Sequence, residues 1–126
     1  MELLDTDVLI DVQRRHPPAI AWFSSLTMFP VVPGIVAMEL IQNTRNTQDL
    51  RTTLLQIAPL TVIWPNEAEG QSAFQLFATY HLSHSLGLLD SFIAAIALSR
   101  KYELLTFNLK HFRMIPGLTL RNPYVR

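Results

Sequence analysis

The sequence predicts an open α/β fold in which helices cover both faces of a parallel β-sheet. Short apolar segments alternate along the chain with longer helical segments, and this alternation is typical of parallel sheets. The chain has 126 residues, of which 49% are apolar and 16% charged. This length and composition predict one domain spanning residues 1–126, with a single core. Because the chain has no cysteine, disulfides, thiolate zinc sites and thiol nucleophiles are excluded.

Local signals define the elements of the first half of the chain. Helix-starting residues follow the first apolar segment at Asp5, and two prolines from Pro17 open the second helix. Pro33 with the following glycine is expected to stop the second strand, and Asn46 or Thr47 to cap the fourth helix. These signals predict strands at residues 2–4 and 28–32, and helices at 8–14, 17–26, 35–43 and 47–57.

The second half of the chain continues the alternation. Pro65 ends a segment rich in β-branched residues, and the Ser-Leu-Gly sequence at 85–87 interrupts a long helical segment. The segments predicted here are strands at residues 60–64, 103–107 and 118–121, and helices at 66–84 and 91–102. Ligands of such sheets gather beyond the carboxyl ends of the strands. Asp5 and Asn108, which each follow a predicted strand, are therefore expected at the functional edge.

Charge and hydropathy argue against a membrane protein and against a broadly basic surface. The start of the chain carries acids where an export signal carries Lys or Arg. Residues 16–38 carry no Asp, Glu, Lys or Arg, but four prolines interrupt them. The sequence therefore predicts a soluble, cytoplasmic protein. Residues 1–99 hold four basic and nine acidic groups, whereas residues 100–126 hold six basic groups and one acid. This asymmetry indicates either segregated solvated charge or a metal site beside a phosphate-binding surface.

Three of the ten acids stand in unusual surroundings. Asp5 ends an apolar strand, Glu39 lies within an apolar helix, and Asp90 precedes a long apolar run. Asp5 and Asp90 could each be a helix N-cap, and Glu39 could be the one exposed position of a buried helix. The remaining acids are expected to be solvated or to favour a helix N-terminus, and Asp11 is among those expected in solvent.

If the fold brings these three carboxylates to one edge, they repel one another by about 4 kcal/mol per close pair. A divalent cation resolves that repulsion, and Mg²⁺ prefers oxygen ligands of this kind. Such an ion can activate a water and stabilise the charge that develops on a phosphodiester. The hypothesis from the residues alone is therefore a metal site formed by Asp5, Glu39 and Asp90.

Four segments, in order, resemble the PIN-domain ribonucleases, and most closely the VapC-like toxins of bacterial toxin–antitoxin pairs. They are MELLDTDVLIDV at residues 1–12, AMEL at 37–40, SHSLGLLDSFIAA at 83–95 and LTFNLKHFRMIPGL at 105–118. Together they span essentially the whole chain. The resemblance implies a three-layer αβα sandwich around a central parallel sheet. It also implies hydrolysis of RNA by a water that a bound Mg²⁺ or Mn²⁺ activates.

The resemblance assigns roles by position. Asp5, Glu39 and Asp90 match the metal-binding acids, and Asp7 matches a residue that supports the first of them. Asn108 stands where the family often has a fourth acid, so that its part in catalysis would be to hold a water. Thr6 is expected to orient Asp5 through its hydroxyl. Lys110 and His111 lie shortly after Asn108 in the chain. They are expected either to be solvent-exposed or to contact RNA phosphate.

The resemblance further implies a homodimer and a cognate antitoxin, whose basic side chain would pair with Asp5 and Asp90. Two alternatives remain open at this point. The chain could be a catalytically inactive PIN-like binding module, since Asn108 replaces an acid. The Asp5–Val8 segment also resembles the nucleophile loop of haloacid-dehalogenase-like phosphatases. That family requires a downstream lysine and a further acidic pair, and no acidic pair follows Asp90.

Overall fold

Five short strands and seven helices alternate along the chain, and the computed structural model describes all 126 residues. The strands are β1 (Glu2–Leu4), β2 (Val31–Pro33), β3 (Thr61–Ile63), β4 (Glu103–Leu105) and β5 (Leu120–Arg121). The helices are α1 (Thr6–Gln13), α2 (Pro17–Ser25), α3 (Gly34–Gln42), α4 (Thr47–Ile57), α5 (Glu67–His84), α6 (Leu88–Arg100) and α7 (Leu109–Phe112).

The strands form one parallel sheet in the order β3-β2-β1-β4-β5. The chain therefore starts in the middle of the sheet, extends to one side through β2 and β3, and then crosses to the other side of β1. The direction of winding reverses between β1 and β4, which lie side by side with Leu3 opposite Leu104. The predicted α/β fold with a central parallel sheet is confirmed, and this reversal marks where such sheets bind ligands.

The core lies where the two central strands meet the helices that pack on them. Leu3 and Leu4 of β1 and Leu104 and Leu105 of β4 are fully buried. From α6, five consecutive residues, 93–97, are also buried. Strands that are covered on both faces bury every side chain, so they show continuous apolar runs without alternation. The core thus fixes the positions of β1, β4 and α6. Asp5 follows β1, Asn108 lies shortly after β4, and Asp90 lies in α6.

Most predicted boundaries differ from the structure by one to three residues, and one short helix was not predicted. The sequence predicts that the second strand ends at residue 32 and that Pro33 stops it. In the structure, Pro33 is itself the last residue of β2 and also the N-cap of α3. Its extended backbone suits the end of a strand, and its missing N–H is of no consequence at the start of a helix. The α6 helix begins at Leu88 instead of residue 91. The four-residue helix α7 was not predicted, because so short a segment carries no detectable period.

The longest helix, α5, has both of its ends defined by local signals. At its start, the Asn66 side chain accepts from the Glu69 N–H, and the Glu69 side chain accepts from the Asn66 N–H. This capping box satisfies two backbone donors that the helix leaves free. At its end, Ser85 takes a left-handed conformation. Neither α5 nor any other helix combines the length and the apolar character that crossing a membrane requires.

Gly34→Ala is expected to lower the free energy of unfolding by about 1–3 kcal/mol, because it overpacks the start of α3. A Cβ at this position would lie 2.4 Å from ring atoms of Trp64. Urea unfolding measures the effect. Gly70→Ala is the matched control, since nothing lies within 4 Å of its added methyl group and alanine favours a helix interior by about 1 kcal/mol over glycine. A Gly34→Ala variant as stable as the wild type would contradict this prediction.

Candidate active site

The candidate site lies at the carboxyl ends of β1 and β4, where the winding of the sheet reverses. Asp5 directly follows β1, and the segment 106–108 directly follows β4. The two are joined by the backbone, because the Asp5 N–H donates to the Leu105 carbonyl at 3.1 Å. The sequence prediction that Asp5 and Asn108 lie at one edge of the sheet agrees with this arrangement.

Asp5 is the N-cap of α1. It also belongs to the acidic cluster, which comprises Asp5, Asp7, Glu39 and Asp90. Its Oδ1 accepts from the Thr6 N–H at 2.7 Å, and its Oδ2 accepts from the Thr106 hydroxyl at 2.8 Å. The side chain is only 4% exposed. The sequence left open whether Asp5 is a helix cap or a functional acid. The structure shows the cap, which does not exclude a functional role, because it uses only one of the two carboxylate oxygens.

Asp7 joins the first turn of α1 to the segment after β4. Its Oδ2 accepts from the Phe107 N–H at 2.8 Å. Its Oδ1 is buried and has no hydrogen-bond partner. A buried carboxylate oxygen without a donor is costly. Asp7 therefore offers free acceptor capacity beside Asp5.

Glu39 approaches the cluster from the middle of α3 and is half-buried. Its Oε1 accepts from the Thr6 hydroxyl at 2.5 Å. The expectation that the Thr6 hydroxyl orients Asp5 is wrong: the backbone N–H of Thr6 holds Asp5, and its hydroxyl holds Glu39. Thr6 is the first residue of α1, and its two donors each bind a different acid.

Asp90 lies in the first turn of α6 and is not its N-cap. Gly87 occupies the cap position, because α6 starts three residues earlier than the sequence indicated. The Asp90 Oδ2 lies 3.5 Å from Nδ1 of His111, which is half exposed. The alternative role of Asp90 as a helix cap is therefore wrong. A carboxylate in the first turn is still favoured by the helix dipole, but its nearest polar contact is a histidine from another element.

Asn108 has a weaker connection to the cluster than the acids have. Its backbone N–H donates to the Thr106 hydroxyl at 3.0 Å, whereas its side chain makes no capping bond to α7 and is exposed. The Thr106 hydroxyl donates in turn to Asp5. Asn108 therefore acts on Asp5 through its backbone, and its amide side chain is free to meet a ligand.

Crowding and burial of the acids shift their protonation. Burial, together with the neighbouring Asp7, raises the pKa of Asp5 to about 7, although bonds from Thr106 and Thr6 oppose the rise. Burial also raises the pKa of Asp7, against the bond from the Phe107 N–H. For Asp90, burial and the nearby Glu39 raise the pKa, and His111 opposes them. Acids that raise one another's pKa in this way are typical of functional sites.

The donor chemistry of the cluster fits a divalent cation. Its acids offer carboxylate oxygens, which Mg²⁺ and Mn²⁺ prefer, and one of those oxygens, on Asp7, has no partner. In the conformation described, no group of three or more acidic or histidine side chains is gathered closely enough to hold an ion. Glu39 is turned to Thr6 and Asp90 to His111. Asp5, Glu39 and Asp90 therefore share one edge and one electrostatic environment, without forming a closed set of ligands.

Sequence reasoning missed Thr106, did not predict the contact that His111 makes, and misjudged the burial of Asp11. Thr106, fully buried, connects Asp5 to the β4–α7 segment, and a polar residue directly after an apolar strand could have indicated it. For His111, the sequence left open whether the side chain is exposed to solvent or contacts RNA phosphate. Its contact with Asp90 has no local signal in the sequence. Asp11 was expected in solvent but is only 6% exposed, because Arg126 and Tyr124 cover it.

The family follows from comparison with known proteins. The family model described as "PIN domain" matches residues 3–117. The chain belongs to the PIN domain family. PIN domains are generally nucleases, so this match gives no support to the phosphatase alternative. It agrees with the position of the acidic cluster, where the winding of the sheet reverses between β1 and β4. Among curated proteins, no match was found.

Solved structures extend the likeness to toxin–antitoxin proteins. A chain of a toxin–antitoxin complex from Klebsiella pneumoniae is 25% identical with a TM-score of 0.81, and the match covers 100% of both chains. A chain of VapBC-1 from nontypeable Haemophilus influenzae is 28% identical with a TM-score of 0.77, covering 97% of each. FitAcB from Neisseria gonorrhoeae, 22% identical over 98% of both chains with a TM-score of 0.73, shares the fold. The resemblance of this PIN domain to VapC-like toxins is thereby confirmed.

Proposed function

We propose that this PIN domain is a metal-dependent endoribonuclease and the toxin of a toxin–antitoxin pair. The observation that carries the proposal is that Asp5, Glu39 and Asp90 share the edge where the sheet reverses its winding and act on one another through their charges. Burial and the charges of neighbouring acids make Asp5 and Asp90 costly to the fold, which is expected where they serve chemistry. The likeness to toxin–antitoxin structures supports the biological role.

Each residue of the cluster has a proposed part. Asp5, Glu39 and Asp90 would hold Mg²⁺ or Mn²⁺. The ion, when bound, would activate a water and neutralise charge on the phosphodiester. Thr106 and Thr6 keep Asp5 and Glu39 in place through the hydrogen bonds described above. The remaining sequence-predicted residue, Asn108, would hold a water or contact the RNA with its exposed amide.

Incubation of the partner-free chain with total RNA tests the proposal. Discrete fragments are expected with Mg²⁺ or Mn²⁺ and not with EDTA. Asp90→Asn should reduce the rate by about two orders of magnitude or more. Asp49→Asn is the matched control, because Asp49 is partly exposed and pairs only with Arg45 and its own helix end. Fragments that persist in EDTA would indicate a contaminant. Absence of both cleavage and Mn²⁺ binding would favour the catalytically inactive binding module.

A cognate antitoxin is the proposed partner, and the cytoplasm the proposed location. A cavity of about 960 Å³ lies among α1, α2, α3 and α4. It lies against the C-terminal ends of α1 and α3, whereas Asp5 caps the N-terminus of α1. Most of the residues that line it are polar. None of the site acids lines this cavity, so an antitoxin that occupies it would have to extend beyond it to bring a basic side chain to Asp5 and Asp90. Addition of the antitoxin to the RNA assay should stop cleavage.

A homodimer is also proposed, through apolar side chains that remain in solvent. Phe74 and Leu82 lie two turns apart on α5 and are 75% and 94% exposed. Residues eight positions apart on a helix share one face. An exposed apolar face of this kind is typical of an interface.

A further inference from the structure

The last residues of the chain cross the outer side of α1 and bind a buried acid there. The Tyr124 hydroxyl donates to Asp11 Oδ2 at 2.8 Å. Arg126 donates to both oxygens of Asp11, at 2.9 Å each, across 115 positions of sequence. A bidentate arginine–carboxylate pair fixes both distance and orientation. Asp11 therefore ties the segment 124–126 firmly to α1.

The same two side chains also enclose Phe107, in the segment that follows β4. The Tyr124 ring centroid lies 4.9 Å from that of Phe107 at an interplanar angle of 57°. The Arg126 Cζ lies 4.8 Å from the Phe107 ring centroid, within the range of a cation–π contact. Phe107 is thus held from outside by an aromatic ring and by a guanidinium group that Asp11 has already oriented.

Phe107 is connected directly to the acid cluster. Its N–H donates to Asp7 at 2.8 Å, and the hydroxyl of the preceding Thr106 donates to Asp5 at 2.8 Å. The segment enclosed by Tyr124 and Arg126 therefore supplies one hydrogen bond to each of these two acids. A displacement of this segment would move or remove both bonds.

We propose that Arg126 and Tyr124 are positioning residues of the active site, which hold the segment 106–108 against α1 and so set the orientation of Asp5 and Asp7. The inference rests on the proposed function for its catalytic consequence. Neither residue forms a hydrogen bond with Asp5 or Asp7, although the charge of Arg126 lowers the pKa of Asp7. Their contacts reach the site through Phe107, and a small displacement of a reacting group can lower a rate by up to about a hundredfold.

Arg126→Ala tests the proposal with two measurements. Hydrogen exchange of the Phe107 amide, followed by NMR, is expected to become about tenfold faster as the segment opens locally. For RNA cleavage, kcat is expected to fall about tenfold with KM within about twofold of the wild type, since orientation and not RNA binding is lost. Arg126→Lys should recover part of kcat, because the ammonium group keeps a pair with Asp11 but lacks the planar fork.

Arg121→Ala is the matched control. Arg121 pairs with Glu2 and Glu103, which begin β1 and β4, whereas the site lies where these two strands end. It should change neither the Phe107 exchange rate nor kcat. Tyr124→Phe is a milder second variant that keeps the ring and removes the bond to Asp11, and it should raise the exchange rate less than Arg126→Ala does.

Unchanged Phe107 exchange in Arg126→Ala would overturn the proposal, and so would equal effects of Arg126→Ala and Arg121→Ala. If the wild-type chain cleaves no RNA, the proposed function fails. The exchange rate of the Phe107 amide then still decides whether the terminal segment positions the residues that bind Asp7 and Asp5.

Discussion

Asp5→Asn is expected to abolish RNA cleavage and, at the same time, to make the metal-free protein more stable than the wild type. The carboxylate is 4% exposed, and burial and Asp7 raise its pKa to about 7. Its ionisation therefore opposes folding at neutral pH. Asparagine keeps the oxygen that caps α1 and removes the charge. The expected gain is on the order of 1–3 kcal/mol in the free energy of unfolding.

The pH dependence of this gain has a definite sign. Between the unfolded pKa of Asp5, 3.8, and its folded pKa of about 7, the folded state binds more protons than the unfolded state. The stability of the wild type therefore falls as pH rises through this window. The Asp5→Asn variant lacks that contribution, so the difference between the two proteins should be small near pH 4, grow up to about pH 7 and then stay constant.

Urea unfolding in EDTA, at a series of pH values, measures this difference. Asp49→Asn serves again as the control, because an exposed pair within one helix end contributes about 0–1 kcal/mol. If Asp5→Asn is less stable than the wild type at pH 7, Asp5 is mainly a structural cap. If the variant cleaves RNA at the wild-type rate, Asp5 has no place in the catalytic site.

Glu69→Gln is expected to lower the free energy of unfolding by about 3 kcal/mol, because it breaks a buried ion pair. Glu69 is 1% exposed, and its two oxygens accept three bonds of 2.9 Å, two from Arg100 and one from the Asn66 N–H. Arg100 also donates to the Trp64 carbonyl at 2.9 Å. This node joins the start of α5, the end of α6 and the end of β3. Glutamine leaves the partly exposed guanidinium of Arg100 without its counter-charge.

The same node predicts an acid transition. Bonds from Arg100 lower the pKa of Glu69 from 4.5 to about 2. A lowered pKa means that the contribution is complete above pH 4.5 and is lost as pH falls from there through about 2. Wild type and Glu69→Gln should therefore differ most at neutral pH and converge towards pH 2. Glu67→Gln, an exposed acid in the same helical turn, is the control. A change of less than about 0.5 kcal/mol in Glu69→Gln would contradict the prediction.

Local chemistry made most elements of the fold predictable. The α4 helix was predicted at residues 47–57, where the structure has it, because Asn46 caps it and its polar and apolar residues have helical spacing. The α5 helix has a capping box at its start, which polar residues in the right order make visible in sequence. Pro33 was predicted to stop the second strand, and β2 ends at this residue, because a proline is tolerated at the end of a strand.

The acids show the limit of local reasoning. Asp5, Glu39 and Asp90 stood out because a carboxylate among apolar residues needs a reason. Asp11 did not stand out, since its partner Arg126 lies 115 positions away. Asp90 was taken as a possible cap because the start of α6 could not be located to within three residues.

Residue types and their local spacing were sufficient to predict the alternation of strands and helices, the apolar core strands and the identity of the three acids. These features depend on interactions within a few residues, where periodicity and capping act. The order of the strands, and with it the meeting of Asp5 and Thr106, depends on contacts between residues 101 positions apart. The contacts of Glu39 with Thr6, of His111 with Asp90 and of Arg126 with Asp11 arise in the same way. Because no local pattern encodes which distant surfaces pack together, only the tertiary structure decides them.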